Sequence, residues 1–330
     1  MSNFWNESKE PFFILAPMED VTDTVFRQII LSVSDPKILR VVFTEFTSTD
    51  GLSDLRGFEK TSERLRVNSS EIDMLNRRGS KLVAQIWGND PEKFYRSAAL
   101  ISQQGQFDGI DINMGCPVKK VVVKGTCSAL IKNPALAAEI IAATKEGTNL
   151  PVSVKTRIGF NSVVTEEWIG HLLEQELAAI AVHGRTQKMQ SEGFADWNEI
   201  GKAVSLRDSM HKTTAIIGNG DVESYQQGIN LANAHKLDGV MVGRGVFKNP
   251  WMFNKNLAVP EPSERIELLR EHLQLYAATW GNVKNFNILK RFFKIYLSNF
   301  RGAAELRDKL MHTNNAGEVE QALLQTEVLA

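Results

Sequence analysis

The sequence is poor in the features that mark secreted, membrane-spanning and metal-bound proteins. It holds two cysteines, Cys116 and Cys127, too few for a disulfide framework. No run of ~18 apolar residues occurs, so no membrane-spanning helix is expected. The opening MSNFWNESKEPFF lacks both a basic stretch and a long apolar run and does not read as a signal peptide. A cytoplasmic protein is the simplest expectation. The six histidines are scattered, without HxxxH or CxxC spacing, so no metal site is expected. GxSxG is missing, which disfavours a serine hydrolase. No GxGxxG follows the first strand-like run, which disfavours a Rossmann dinucleotide fold. The net charge of −1 leaves a nucleic-acid partner and a small-molecule partner both open.

What is present is a rhythm. Short β-branched and apolar runs centre near residues 14, 43, 84, 111, 154, 181, 216 and 241. Between them lie stretches such as PEKFYRSAALISQQG and NPALAAEIIAATKEG, with apolar residues three and four apart. Strands alternating with helices argue for a parallel sheet, and eight of them argue for closure into a TIM-type (β/α)8 barrel, class α/β. The runs end in polar or glycine-containing residues: Glu19, Glu45, Asn113, Arg157, His183, Asp221 and Arg244. In a barrel these ends gather at the C-terminal rim, where such folds carry their active sites. After Pro250 the pattern turns helical without a strand candidate, through VPEPSER and on to about Leu329. The chain therefore divides into a barrel, 1–254, and a C-terminal all-helical domain, 255–330.

Two glycine motifs stand at consecutive strand ends, Asn219-Gly220-Asp221 and Gly243-Arg244-Gly245. Either alone is as readily a tight turn as a ligand site. Together, after strands seven and eight, they favour a phosphate site, with Arg244 adding charge. A cofactor with a single phosphate, such as FMN, suits this arrangement. Cys116 follows strand four within Asn113-Met114-Gly115-Cys116-Pro117, a rim position, with Lys119, Lys120 and Lys124 close behind. These lysines either lower the thiol pKa or bind phosphates. Cys127 reads instead as a small buried hydrophobe. Lys155 and Arg157 lie two apart on one strand and share a face. Two inward cations need an anionic or electron-rich partner, or else rim salt bridges. His183 ends the next strand and reads either as a satisfied structural histidine or as a further contact to the same ligand.

The series LAPMEDVTD, FTEF, AQIWGNDPE, DGIDINMGCPVKKVVVKG, SVKTRIG, VHGRT, IIGNGD and DGVMVGRG, over roughly residues 12 to 255, resembles the tRNA-dihydrouridine synthase family. The resemblance implies FMN at the barrel mouth, NADPH as reductant and tRNA uridine as substrate. It places Ala16, Pro17 and Met18 beside the flavin ring and Gln85, Lys155 and His183 at the isoalloxazine edge. Asn219, Gly220, Asp221, Gly243 and Arg244 fall at the flavin phosphate. Cys116 matches the general acid, and Asn113, Arg157 and Arg185 match substrate-holding positions. Gln187 stands where another basic residue is common, and Thr126 where a smaller residue is usual.

Between Lys284 and Lys309 seven cations face two anions. Lys290 and Lys294 are four apart, one helical turn, with Phe292, Phe293 and Tyr296 between and beside them. This is either a solvated helix face or a basic stripe for RNA phosphates, with Lys290 and Arg291 as the expected contacts. The alternative function is an FMN barrel reductase of a free pyrimidine or other small molecule, which has no use for a basic helical tail. A monomer without membrane or metal partners is expected.

Overall fold

The computed structural model describes residues 3–255, 260–281 and 283–325. The first residue of VPEPSER and the end of the chain at Leu329 lie outside these residues. Eight parallel strands close on themselves: β1 Phe12–Leu15, β2 Leu39–Phe43, β3 Lys81–Trp87, β4 Gly109–Asn113, β5 Val152–Arg157, β6 Ala179–His183, β7 Ala215–Asn219 and β8 Gly239–Val242. Closure comes from β1 pairing with both β2 and β8, and β2 with β3. A two-residue spur, Thr47–Ser48, pairs with Ile86 and Trp87 and extends the wall above β3.

Period-two alternation divides the side chains. Phe13 and Leu15 of β1 pack outward under the helices, while Phe12 and Ile14 face the barrel interior with Val41, Phe43, Val83, Ala179, Ala181, Ile217 and Met241. Small residues (Ala179, Ala181, Ala215) leave room at one end, which is plugged by the 3-10 turn Phe4–Asn6. Trp5 stacks on Phe4 at 4.9 Å and lies 6.3 Å from the rings of both Phe12 and Phe43. The N-terminal segment is therefore part of the core. One step further along each strand the inward series turns polar: Val83 gives way to Gln85, Ala181 to His183, Ile217 to Asn219. That change of chemistry along one face is what makes one end of the barrel a site and the other a plug.

The connecting helices carry the expected signals. Pro91–Gln104 starts with Asp90 capping the Glu92 N–H and Pro91 at its first position, and stops at Gly105 with φ +64°. Pro134–Glu146 starts in the same way on Asn133. After the barrel, the helix Pro262–Trp280 opens with a capping box between Glu261 and Glu264 and packs on Thr24–Ser32. Trp280 anchors it: its indole N–H donates to Asp23 at 2.8 Å, with Arg66 over the ring at 4.9 Å and Lys284 at 3.4 Å. Asp23 also caps Thr24–Ser32, so one carboxylate joins the barrel to the C-terminal helices. Among the described residues no helix is long and apolar enough to cross a membrane.

The basic stripe differs from its sequence reading. Asn287–Lys290 and Phe293–Tyr296 are two separate short helices, so Lys290 and Lys294 do not share a helical face. Phe293 and Tyr296 turn into the core, and Phe292 packs on Phe26 at 5.3 Å.

Candidate active site

At the C-terminal ends of the strands the barrel opens into a cavity of about 490 Å³. All fifteen barrel positions singled out from the sequence line it. They are Ala16, Pro17 and Met18 beyond β1, Gln85 on β3, Asn113 and Cys116 at and after β4, and Lys155 and Arg157 on β5. His183 and Arg185 come from β6, Asn219, Gly220 and Asp221 from β7, and Gly243 and Arg244 from β8. Glu19 and Glu45, also strand-end residues, do not join them. They gather on Arg64 at 3.4 and 2.8 Å, an ion-pair cluster to one side.

Cys116 is half-buried and its backbone is held from four directions. Asn113 Oδ1 accepts the N–H groups of Gly115 and Cys116, each at 3.0 Å. Arg157 Nε donates to the Gly115 carbonyl at 2.6 Å, Ser128 Oγ to that of Cys116 at 2.8 Å, and Gln187 Nε2 to that of Pro117 at 3.0 Å. The two departures from the family pattern thus serve this loop: Gln187 pins it directly, and Thr126 braces it through the Val121 carbonyl at 2.9 Å. The Cys116 thiol is lowered to about 7, first by a hydrogen bond with the Cys127 thiol, against the opposing effect of burial. Of the two readings of the three following lysines, the effect on the thiol finds no support here, since none of them is among these causes. Cys127 is buried as expected, yet at φ +53° it faces Cys116 rather than serving as inert filler, and burial pushes its own thiol up.

The inward cations divide in role. Among the described residues Arg157 meets no carboxylate. It donates to the carbonyls of Gly115, Thr186 and Gln190, and Nη2 has no hydrogen-bond partner among the described residues. Lys155, deep in the cavity wall, has no hydrogen-bond or ion-pair partner among the described residues. Burial and then the neighbouring Arg157 bring it down to about 8. His183 is held well below its usual range by burial and the surrounding cations, so it is neutral at pH 7. Arg185 Nη1 lies 3.2 Å from His183 Nε2; a guanidinium only donates, so Nε2 accepts and the ring proton sits on Nδ1.

Arg185 does not stand free for substrate. Its donors go to His183, to the Glu192 and Gly193 carbonyls, and to both oxygens of Asp221 at 2.7 Å. Asp221 is likewise committed: it also accepts the Ala195 N–H at 2.7 Å. Burial opposes its ionisation, but these hydrogen bonds hold its carboxyl below the usual range. This pair anchors the loop beside β7. Within that anchor Gly220 adopts φ +136°, where a Cβ would lie 2.4 Å from Ala195 Cβ, so only glycine fits. Gly243 is different. A Cβ there would meet protein no closer than 3.7 Å, at Ala16, so this glycine leaves open space at the cavity edge. Arg244 stands exposed beside it, without an ion pair among the described residues. Asn219 Nδ2 ties the two strand ends together by donating to the Met241 carbonyl at 2.8 Å.

Sequence reasoning passed over Asp111 and Ser153, though both were within reach of parity, two residues before Asn113 and Lys155 on their strands. It named Cys127 and Gln187 without their contacts to the Cys116 turn, which required the folded loops.

Lys290 and Arg291 lie outside the cavity. Lys290 donates to the Met311 carbonyl at 2.9 Å and is spent within the C-terminal helices. Arg291 donates to the Asp20 carbonyl and lines a neighbouring groove of about 730 Å³ with Lys294, Arg244 and Lys248; no acidic side chain lines it.

A closed parallel barrel with this polar mouth defines a (β/α)8-barrel enzyme. The model of the family described as dihydrouridine synthase (Dus) matches residues 14–329. The chain belongs to that family of oxidoreductases. It is 42% identical over 323 residues to a probable tRNA-dihydrouridine synthase of Staphylococcus aureus strain Mu50, covering 97% of this chain and 94% of that one. It is equally 42% identical to a probable tRNA-dihydrouridine synthase 2 of Bacillus subtilis strain 168, covering 97% and 95%. Among solved structures, histamine dehydrogenase from Rhizobium sp. 4-9 is 12% identical with a TM-score of 0.52, over 80% of this chain and 48% of that one. This is a likeness of fold alone.

Proposed function

We propose that this chain reduces the C5=C6 bond of uridines in tRNA to 5,6-dihydrouridine, with FMN held at the barrel mouth and NADPH as electron source. The observation that carries the reading is a convergence in one cavity: a thiol fixed by its backbone, a lysine without a partner, and a glycine edge with room for a phosphate. The names of the relatives support tRNA as substrate. A tRNA substrate supports a cytoplasmic location.

The residues fit the cofactor. The open space at Gly243, with Arg244 beside it, suits the phosphate. Lys155, Gln85 and neutral His183 suit the polar edge of the ring, and Ala16 to Met18 its apolar side. Bound there, FMN supplies the hydride that C6 of uracil accepts, and NADPH replenishes it. The Cys116 thiol gives its proton to C5, so one hydride and one proton complete the reduction, and the thiolate regains its proton from solvent. Lys155 stabilises negative charge developing beside it. Arg157 Nη2 is the donor left to hold uracil, while Asn113 acts through the Cys116 turn. A uridine in folded RNA must leave its stack to enter the cavity.

The adjoining groove, which shares Arg244 and Lys248 with the cavity, suits RNA phosphates. Reversing charge in the double variant Arg291→Glu/Lys294→Glu is expected to raise the KM for tRNA by roughly tenfold, about 1.4 kcal/mol. FMN reduction by NADPH should be unchanged, and Lys290→Glu should do less because its ammonium is already spent. An unaltered KM in the double variant would remove the groove from RNA binding.

The reaction itself is tested by mass spectrometry of tRNA incubated with the purified protein, FMN and NADPH. A gain of two hydrogens at a uridine is expected. No gain on tRNA, with turnover of free pyrimidines, would shift the assignment to a small-molecule reductase.

A further inference from the structure

We propose that Asp111 is a positioning residue for this reaction: from beneath the cavity its carboxylate orients, through Gln85 and Asn113, the turn that carries Cys116, and it is the counter-charge to Lys155. The inference rests on the roles given above to Cys116 and Lys155.

Asp111 is fully buried on the inward face of β4. The interior layers of such barrels are ordinarily filled by branched apolar side chains, and a buried carboxylate is costly unless it is satisfied. Here it is satisfied in a directed way. Ser153 Oγ donates to Oδ1 at 2.6 Å and Gln85 Nε2 to Oδ2 at 2.7 Å. Asn113 Nδ2 in turn donates to Gln85 Oε1 at 3.0 Å, and Asn113 Oδ1 accepts the Gly115 and Cys116 N–H groups. A carboxylate can only accept. It therefore obliges Gln85 to turn its nitrogen downward and its oxygen toward Asn113. Asn113 must then present its oxygen to the turn. With a donor in place of Asp111 the sequence would reverse, and an amide NH₂ would face two backbone N–H groups.

Register supplies the second half. Asp111 pairs with Ser153, and Asn113 pairs with Lys155 on the same two strands. Lys155 thus stands one inward step above the carboxylate. The groups acting on it are Arg157, Asp111 and Cys116, of which Asp111 is the one carboxylate.

Two variants separate the two effects, and both readouts use the purified full-length protein without turnover or RNA. Asp111→Asn removes the charge, but its amide oxygen can still accept from Gln85 while its nitrogen donates to Ser153 Oγ. Gln85→Leu cuts the chain and keeps the carboxyl; burial raises that carboxyl to about 6 and the Gln85 hydrogen bond opposes the rise, so its charge is compared at pH 8 and above. The ammonium of Lys155 is titrated by NMR on 13C-lysine-labelled protein, its signal assigned with Lys155→Arg. Alkylation of Cys116 by iodoacetamide at pH 7 is timed in the same samples. Asp111→Asn is expected to lower the Lys155 midpoint by a unit or more and leave alkylation within twofold. Gln85→Leu is expected to change alkylation at least fivefold and leave the Lys155 midpoint in place. An unmoved Lys155 midpoint in Asp111→Asn, or both variants disturbing both readouts alike, would overturn the proposal and leave Asp111 a packing residue. Failure of the tRNA reductase reading would leave these readouts untouched.

Discussion

Cys116→Ala is expected to slow uridine reduction by ~10²–10⁴-fold while FMN remains bound, the range associated with loss of a positioned general acid. Two neighbouring groups are poorer proton donors: Cys127 is buried and its proton is held more tightly, and His183 is neutral with Nε2 already engaged. The pH profile sharpens this test. Proton donation needs the S–H form, which is full below the thiol pKa and declines above it. With that pKa near 7, the single-turnover rate should fall about tenfold per unit above pH 7, and a decline on the acid side belongs to the Asp111 carboxyl, which burial raises to about 6. The hydrogen bond from Cys127 is the leading cause of the lowered value, so Cys127→Ala should carry the falling limb toward the ordinary thiol range. Turnover by Cys116→Ala at the parental rate would remove the thiol from the chemistry. A limb unmoved in Cys127→Ala would assign it to another group.

Lys155→Met is expected to lower turnover by ~10²–10³-fold, as when one preorganised electrostatic contact at a developing charge is lost. Methionine has a similar length and no charge, so packing is largely kept. The parent lysine is a cation below about pH 8 and loses its charge above it. Stabilisation of negative charge beside it is therefore present at neutral pH and fades as the medium becomes alkaline. The midpoint potential of the bound FMN gives the independent reading. It should drop in Lys155→Met at pH 7, and the gap from the parent should close above pH 8. A potential equal to the parent's at pH 7 would mean that Lys155 does not act on the flavin.

The eight strands were legible because short β-branched and apolar runs ending in polar or glycine-containing residues are local signals. Asn133-Pro134 and Asp90-Pro91 announce their helices within four residues. The site was legible for the same reason: strand ends such as Asn113, His183 and Asn219 carry polar residues at the parity that faces inward, and closure brings equal positions to one mouth. Lys290 and Lys294 show where this ends. Their spacing fits one helix, but they fall in two short ones, and the residues between and beside them, Phe292, Phe293 and Tyr296, are buried against distant parts of the chain.

By itself, then, the sequence determined the barrel and the polar strand ends at its mouth, consequences of short-range patterning and closure, while the family resemblance added Ala16 to Met18, Gln85 and Arg185. The tertiary structure alone decided which of those residues remain free. Arg185 and Asp221 neutralise one another, Arg157 is drawn onto three carbonyls, and Lys155 is left unpaired above Asp111. Whether a charged group is spent or available depends on partners dozens of residues away, and on the cost of burying it without one.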